Sequence, residues 1–269
     1  VELRDPDSVY PIFRSESKEN LARILGHEEN VHLHNLMVDL NSGKEEAFRA
    51  GHEAKHAENY RINSFHLGEG SPKQKFRANM DAIYTLKALE NQHRDATPEE
   101  QETLANYVGW GGLADAFDAE KTAWTGEYKE LKAALTEEEY AAARASTLNA
   151  HYTSPTVIRA IYEALDGMGF EKGNILEPSM GVGNFFGMLP DSMLGSRLYG
   201  VELDSITGRI AQKLYPQAEI KVAGFETTDR RDFYDLAVGN VPFGNYRVSD
   251  KPYDKLGFSI HNYFFAKAL

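Results

Sequence analysis

The sequence contains no cysteine among its 269 residues, so neither a disulfide framework nor a thiolate metal site is available to it, and a reducing compartment suits it. It also lacks any run approaching the roughly 18 apolar residues of a membrane span. The opening stretch from Val1 to Tyr10 has neither the basic start nor the apolar core of a leader, so a cytoplasmic location without a membrane partner is expected. Methionine is missing at position 1, which suggests a piece of a longer polypeptide. A basic excess is absent as well: the formal net charge is -12. Residues 151–269 hold 12 Lys and Arg against 14 Asp and Glu, leaving 17 against 27 for residues 1–150. Duplex binding draws most of its affinity from neutralised phosphates, so a chain of this charge is expected to hold nucleic acid weakly by itself.

What is present is an ordinary globular composition, 42% hydrophobic and 26% charged, arranged in three stretches. Residues 1–70 have poor periodicity and a breaker cluster at Gly68 to Pro72, and read as a loosely structured lead-in with one helix near 43–59. Residues 71–150 are helical. Ser71 and Pro72 open a helix with Phe76, Met80, Ile83, Leu86 and Leu89 on one stripe. Thr97 to Glu100 is a capping box for a second helix ending at Gly109, and Thr136 to Glu139 is another for a helix reaching about Asn149. Between them Tyr107-Val108-Gly109-Trp110-Gly111-Gly112-Leu113 turns tightly around a large aromatic, which is best read as a packing anchor.

From His151 onward strand and helix signals alternate, predicting a parallel sheet covered by helices, an α/β fold of Rossmann-like type. A helix starting at Ser154-Pro155 is followed by expected strands at 174–178, 197–203, 218–223 and 234–239, and by the start of a helix at Phe264 to Leu269. No internal repeat is visible.

The chemistry is concentrated where these strands end. Glu177-Pro178-Ser179-Met180-Gly181-Val182-Gly183-Asn184-Phe185 is a strand entering a Gly-x-Gly turn and then a helix, a turn that brings bare backbone close to a ligand. About 20 residues on, Glu202 and Leu203 close the second strand with an acid of the type and spacing that accepts hydrogen bonds from ribose hydroxyls. A dinucleotide dehydrogenase needs a third glycine where this chain has Phe186, which argues against a diphosphate. S-adenosyl-L-methionine, with ribose and adenine but no phosphate, avoids that conflict. Gly224-Phe225-Glu226 follows the third strand with an aromatic for the adenine face and a carboxylate for its amino group. Gly239-Asn240-Val241-Pro242-Phe243-Gly244 then falls at the end of the fourth strand, where ligands of open α/β sheets sit. An exocyclic amino group is a poor nucleophile because its lone pair is delocalised. Acceptors from the Asn240 side chain and the Val241 carbonyl favour a tetrahedral nitrogen, Pro242 stiffens the loop, and Phe243 stacks on a flipped base.

The succession Tyr152-Thr153-Ser154-Pro155, Glu177 to Phe185, Glu202, Phe225-Glu226 and Asn240 to Phe243 resembles the adenine-N6 DNA methyltransferases in which the cofactor motifs precede the catalytic motif. The resemblance covers residues 151–269. It implies that Thr153 lies at the amino-acid end of S-adenosyl-L-methionine, that Glu177, Gly181 and Gly183 line its methionine part, and that Glu202 binds ribose. Phe225 and Glu226 would flank the adenine and Asn240 to Phe243 the target amino group. Tyr152, Ser179, Asn184, Phe185 and Leu203 complete the implied cofactor-binding set, and no metal ligand is implied. The stretch from Phe76 to Asp118 is similar to the segment preceding the methylase domain in large helicase and methyltransferase fusion proteins of phages and conjugative elements, which implies DNA, a target-recognition region and a helicase as partners. Val241 stands where that family usually has proline; only its carbonyl is needed. Such a domain ordinarily continues through three more strands, so this chain is expected to bind cofactor weakly and methylate little.

Other readings remain at this point. RNA and protein-glutamine methyltransferases use a related loop because an amide nitrogen poses the same problem. His52-Glu53-Ala54-Lys55-His56 matches the H-E-x-x-H of zinc hydrolases, with His32 or His34 as a third ligand, although Lys55 would set a cation beside the metal. A catalytically silent scaffold is the third alternative.

Overall fold

A computed structural model describes residues 2–4, 11–14, 57–63, 68–147 and 153–269. The chain divides into two compact units, residues 1–56 and 57–269. In the first, β1 (Glu2–Arg4) and β2 (Pro11–Arg14) form an antiparallel ribbon. The helix expected over 43–59 and the histidines at 32, 34, 52 and 56 lie outside the described residues, except for 57–59, which carry no regular structure.

The second unit begins with helices. α1 (Pro72–Asn91) starts as expected, with a reciprocal capping box between Ser71 and Gln74 and Pro72 in the first turn. Its stripe of Phe76, Met80, Ile83, Leu86 and Leu89 is buried to 1% exposure or less, each side chain contributing about 1.5–3 kcal/mol. α2 (Pro98–Ala105), α3 (Thr125–Ala134) and α4 (Glu137–Ser146) follow, and α2 and α4 have the expected capping boxes. α2 ends four residues short of Gly109 because Asn79 captures the next backbone groups. Its side-chain oxygen accepts from the Val108 N–H at 2.8 Å and its amide donates to the Gly109 carbonyl at 2.6 Å. The loop from Tyr107 to Leu113 is thereby clamped to α1. Trp110, 1% exposed, meets Phe76 at 6.0 Å and Phe117 at 5.3 Å edge-on, the anchor its setting suggested.

α5 (Pro155–Gly167) leads into the sheet, made of β3 (Asn174–Glu177), β4 (Arg197–Glu202), β5 (Glu219–Val222) and β6 (Leu236–Ala237). All pairings are parallel and the order is β5-β4-β3-β6, so the chain winds outward from β3 in one direction and then reverses. This is the Rossmann-like α/β arrangement read from the sequence, and it places a switch point at the carboxyl ends of β3 and β6. α6 (Asn184–Gly187) and α7 (Ser205–Leu214) connect the first three strands; β5 and β6 are joined by only a 3-10 turn at Phe225–Thr227, and α8 (Ile260–Ala268) ends the chain.

Strand residues alternate between two cores, as the period of two requires. Ile175, Leu198 and Ile220 face the core shared with α1, α5 and α7. Leu176, Tyr199 and Val201 face a smaller core closed by Ile260, Tyr263 and Phe264 of α8. β6 is regular over only two of the six residues expected, although the Val238 N–H still donates to the Leu176 carbonyl at 2.9 Å. Phe233 and Tyr234 turn aside to pack on Tyr199. Residues 57–63, part of the lead-in in the sequence reading, run along the sheet region: the Tyr60 N–H donates to the Leu214 carbonyl and the Ile62 N–H to that of Gly187. No helix among the described residues is long and apolar enough to cross a membrane.

Asn79 is fully buried and satisfies two loop backbone groups, so Asn79→Ala is expected to cost about 2–4 kcal/mol by stranding both. Urea unfolding should show a lower midpoint with an unchanged slope.

Candidate active site

Beyond Glu177 the chain turns through Gly181 and Gly183, with φ of 57° and 85°, the left-handed region that favours glycine. A Cβ on Gly183 would also lie 2.5 Å from the Tyr215 ring, so this turn excludes other residues twice over. Phe186, where a dinucleotide site has glycine, is 2% exposed and packs edge-on against Tyr215 at 5.7 Å.

Glu202, at the end of β4, ties this turn to its own strand. One carboxylate oxygen accepts the Gly181 N–H and the other the Asp204 N–H, both at 2.8 Å. Burial pushes its pKa up to about 7 against these stabilising hydrogen bonds. Glu177, 3% exposed, is raised well above the usual carboxylate range, first by burial and then by Glu202. Its Oε2 is buried with no hydrogen-bond partner among the described residues. Two carboxyl groups thus meet the same rim, and one is unsatisfied.

The fourth-strand loop reaches that rim. The Ser179 hydroxyl donates to the Asn240 carbonyl at 2.9 Å, and a Cβ placed on Gly239 would lie 3.3 Å from Glu177 Cγ. The glycine turn, the strand-end acid and the asparagine loop are therefore brought together at the carboxyl end of one sheet. Asn240 is exposed, Val241 and Pro242 half-buried, and Phe243 is 65% exposed with its ring 6.4 Å from that of His261.

Other positions take different surroundings. Phe225 is 4% exposed, with its ring 5.1 Å from Phe264 and 6.3 Å from Tyr263. Without a helix between β5 and β6, the α8 aromatics cover that place, and Phe225 serves the smaller core. Glu226 is half-buried, and its carbonyl accepts from Lys267 at 3.3 Å. Phe185 is a core ring packed on Tyr162, whose hydroxyl donates to the Phe185 carbonyl. Asn184 starts α6 half-buried, and Leu203 is exposed beside Glu202. Thr153 precedes the start of α5, while Tyr152 lies outside the described residues.

Two groups at the site carry no sequence motif. Asp204 caps α7 through the Thr207 N–H at 2.8 Å while donating its own N–H to Glu202; its place after the strand acid is the only signal that marks it. Lys267 and Asp250 form a 2.6 Å ion pair, each side chain 9% exposed, joined by the Tyr263 hydroxyl at 2.7 Å. Burial opposes ionisation of Asp250, but Lys267 and Tyr263 outweigh it and hold its pKa below the usual value. The pair ties the chain downstream of Asn240 to α8 and to the Glu226 turn.

Sheet order and rim together describe a Rossmann-like α/β protein whose strand-end residues gather at one edge. The chain is 29% identical over 192 residues to Defense against restriction protein B of Escherichia phage P1, a match covering 69% of this chain and 7% of that protein. It is 34% identical over 92 residues to the type II methyltransferase M.CvrRI of Paramecium bursaria Chlorella virus XZ-6E, covering 34% of this chain and 24% of that protein. The chain therefore spans only a minor part of either relative. Among solved structures, a class I S-adenosylmethionine-dependent methyltransferase candidate from Listeria monocytogenes aligns with 72% of this chain and 69% of its own at TM-score 0.36 and 12% identity, too remote a likeness to bear on function. No family model matches.

Because Glu177 holds its proton far more tightly when folded than when unfolded, the folded state loses stability as pH rises above the ordinary carboxylate value. Glu177→Gln removes that penalty. Its urea midpoint should exceed wild type at pH 8, with the difference shrinking toward pH 5.

Proposed function

We propose that this chain is the cofactor-binding and catalytic part of an S-adenosyl-L-methionine-dependent methyltransferase acting on the N6 amino group of adenine in DNA. The observation that carries the reading is the meeting of buried Glu177 and half-buried Glu202 with the Asn240 loop at one rim. A cationic ligand would favour the ionised form of Glu177 that burial disfavours, and hydroxyl donors suit the carboxylate of Glu202. The cofactor fits the residues present. The unsatisfied oxygen of Glu177 would hold its ammonium end and the Gly181 to Gly183 backbone its methionine part, with Thr153 assigned to the same end by resemblance. Glu202 keeps acceptor capacity for ribose hydroxyls beyond its two backbone bonds. Glu226 would flank the adenine, while Phe225 is enclosed by the α8 aromatics.

When bound, the cofactor supplies a methyl group on a cationic sulfur. The chain's own residues prepare the acceptor nitrogen. The Asn240 side chain and the Val241 carbonyl accept its two hydrogens, which draws the lone pair out of conjugation and stabilises positive charge developing on nitrogen. Pro242 limits loop freedom. Phe243, largely exposed, offers a face for a base turned out of its duplex. Likeness to a type II methyltransferase and to a phage protein named for defence against restriction favours DNA over RNA or a glutamine amide, which the loop chemistry also accommodates.

The test is calorimetric titration with S-adenosyl-L-methionine together with single-turnover tritium transfer into DNA, RNA and protein. What label this chain transfers, little as it is expected to be, should appear in adenine of DNA. Asn240→Ala is expected to keep cofactor affinity within about twofold while lowering transfer on the order of 100-fold or more. Label appearing in RNA or glutamine instead would overturn the substrate, and absence of cofactor binding would overturn the class.

A further inference from the structure

The turn that follows β5 draws one of its hydrogen bonds from far along the chain. Its carbonyls at Gly224, Phe225 and Thr227 accept from Thr227, Thr228 and the Lys221 ammonium, all within a few residues. The Glu226 carbonyl accepts instead from Lys267 of α8 at 3.3 Å, 41 residues away. The Glu226 side chain folds back over Gly224, where any Cβ would overlap its carboxylate. One residue earlier the Ala223 N–H donates to the Glu202 carbonyl at 2.9 Å. The Glu226 carboxylate therefore lies at the strand end next to that of the ribose-directed acid.

Lys267 is itself firmly held. Its ammonium donates to Asp250 Oδ2 at 2.6 Å, and the Tyr263 hydroxyl donates to the same oxygen at 2.7 Å. The rings of Phe225, Tyr253 and Tyr263 have their centres 5.4, 5.8 and 5.9 Å from the ammonium, within reach of cation–π attraction. Phe225 thus lines the seat of a cation. Both members of the ion pair are 9% exposed, and a buried pair of this kind often adds little stability over apolar residues of similar size. A methionine would fill the volume, but only a donor reaches the Glu226 carbonyl.

We propose that Lys267 is a positioning residue for the adenine end of the ligand: anchored on Asp250, it holds the Glu226 carbonyl so that the Glu226 carboxylate meets the 6-amino group. Nothing in this role requires Lys267 to touch the ligand. The inference rests on the reading of Glu226 as the residue flanking the adenine.

Adenosine and purine riboside differ only in the 6-amino group, so the ratio of their affinities, measured by ligand-observed NMR, reports that contact. The ratio of adenosine to 2′,3′-dideoxyadenosine reports the ribose side separately. Wild type is expected to prefer adenosine to purine riboside by roughly tenfold or more, the size of a hydrogen bond to a charged group. Lys267→Met should retain the thermal transition, bring that ratio close to one and leave the ribose-side ratio at its wild-type value. A merely structural role would weaken all three ligands alike and keep both ratios, which overturns the proposal while the reading of Glu226 stands. Collapse of both ratios marks general loosening of the rim and overturns it too. A wild-type ratio of one, or no binding of either nucleoside, removes the reading of Glu226 and the proposal with it. If Lys267→Met loses its thermal transition by stranding Asp250, Lys267→Met combined with Asp250→Asn removes both charges and must collapse the amino-group ratio alone; an intact ratio there overturns the proposal.

Discussion

The rim depends on a single carboxylate being drawn out of water while its two oxygens accept backbone N–H groups from different segments. Glu202 holds Gly181 with one oxygen and Asp204 with the other, and so fixes the glycine turn after β3 relative to the start of α7. A buried carboxyl is costly when charged, and its raised pKa expresses that cost. The two N–H donors offset part of it. What remains is a local electrostatic demand for hydroxyl or cationic partners, and Glu177 adds to it with an oxygen that no described side chain satisfies.

Such a demand survives only if the surrounding structure is stable enough to bear it. The two cores supply that stability. α1, α5 and α7 pack one sheet face with side chains at or near zero exposure, and α8 covers the other. The helical layer does more than cover apolar surface, because Lys87, Glu90, Glu139 and Arg209 join α1 and α4 to α7 through ion pairs. Side-chain exposures between 10% and 31% at these pairs place them where solvent screening is reduced, so geometry there is held more firmly than by surface charges.

Much of the fold was legible because its signals are local. Pro72, Ser71, Thr97 and Thr136 mark helix starts by satisfying N–H groups within one turn, and those starts fall where expected. Strand positions followed from short apolar runs with breakers between them, and the parallel arrangement from their alternation with helices. Ends were less legible. α2 stops at Ala105 because Asn79, more than 20 residues earlier in the chain, takes the Val108 N–H. β6 is short because Phe233 and Tyr234 find better packing on Tyr199 than in the ladder. Phe225 illustrates the same limit at the site: its place after β5 suggested an adenine wall, and the aromatics of α8 enclose it.

The sequence by itself determined the element types, the parallel class of the sheet and the residue types at each strand end, because these follow from periodicity, capping and backbone freedom within a few residues. Tertiary structure decided which of those residues share a rim, that Ser179 reaches the Asn240 carbonyl, that Lys267 pairs with Asp250, and that Arg209 of α7 pairs with Glu90 and Glu139 of the helical layer. Each of these contacts joins residues far apart in the chain. Their partners are chosen by sheet order and by how helices pack across it, and neither is encoded in any one segment.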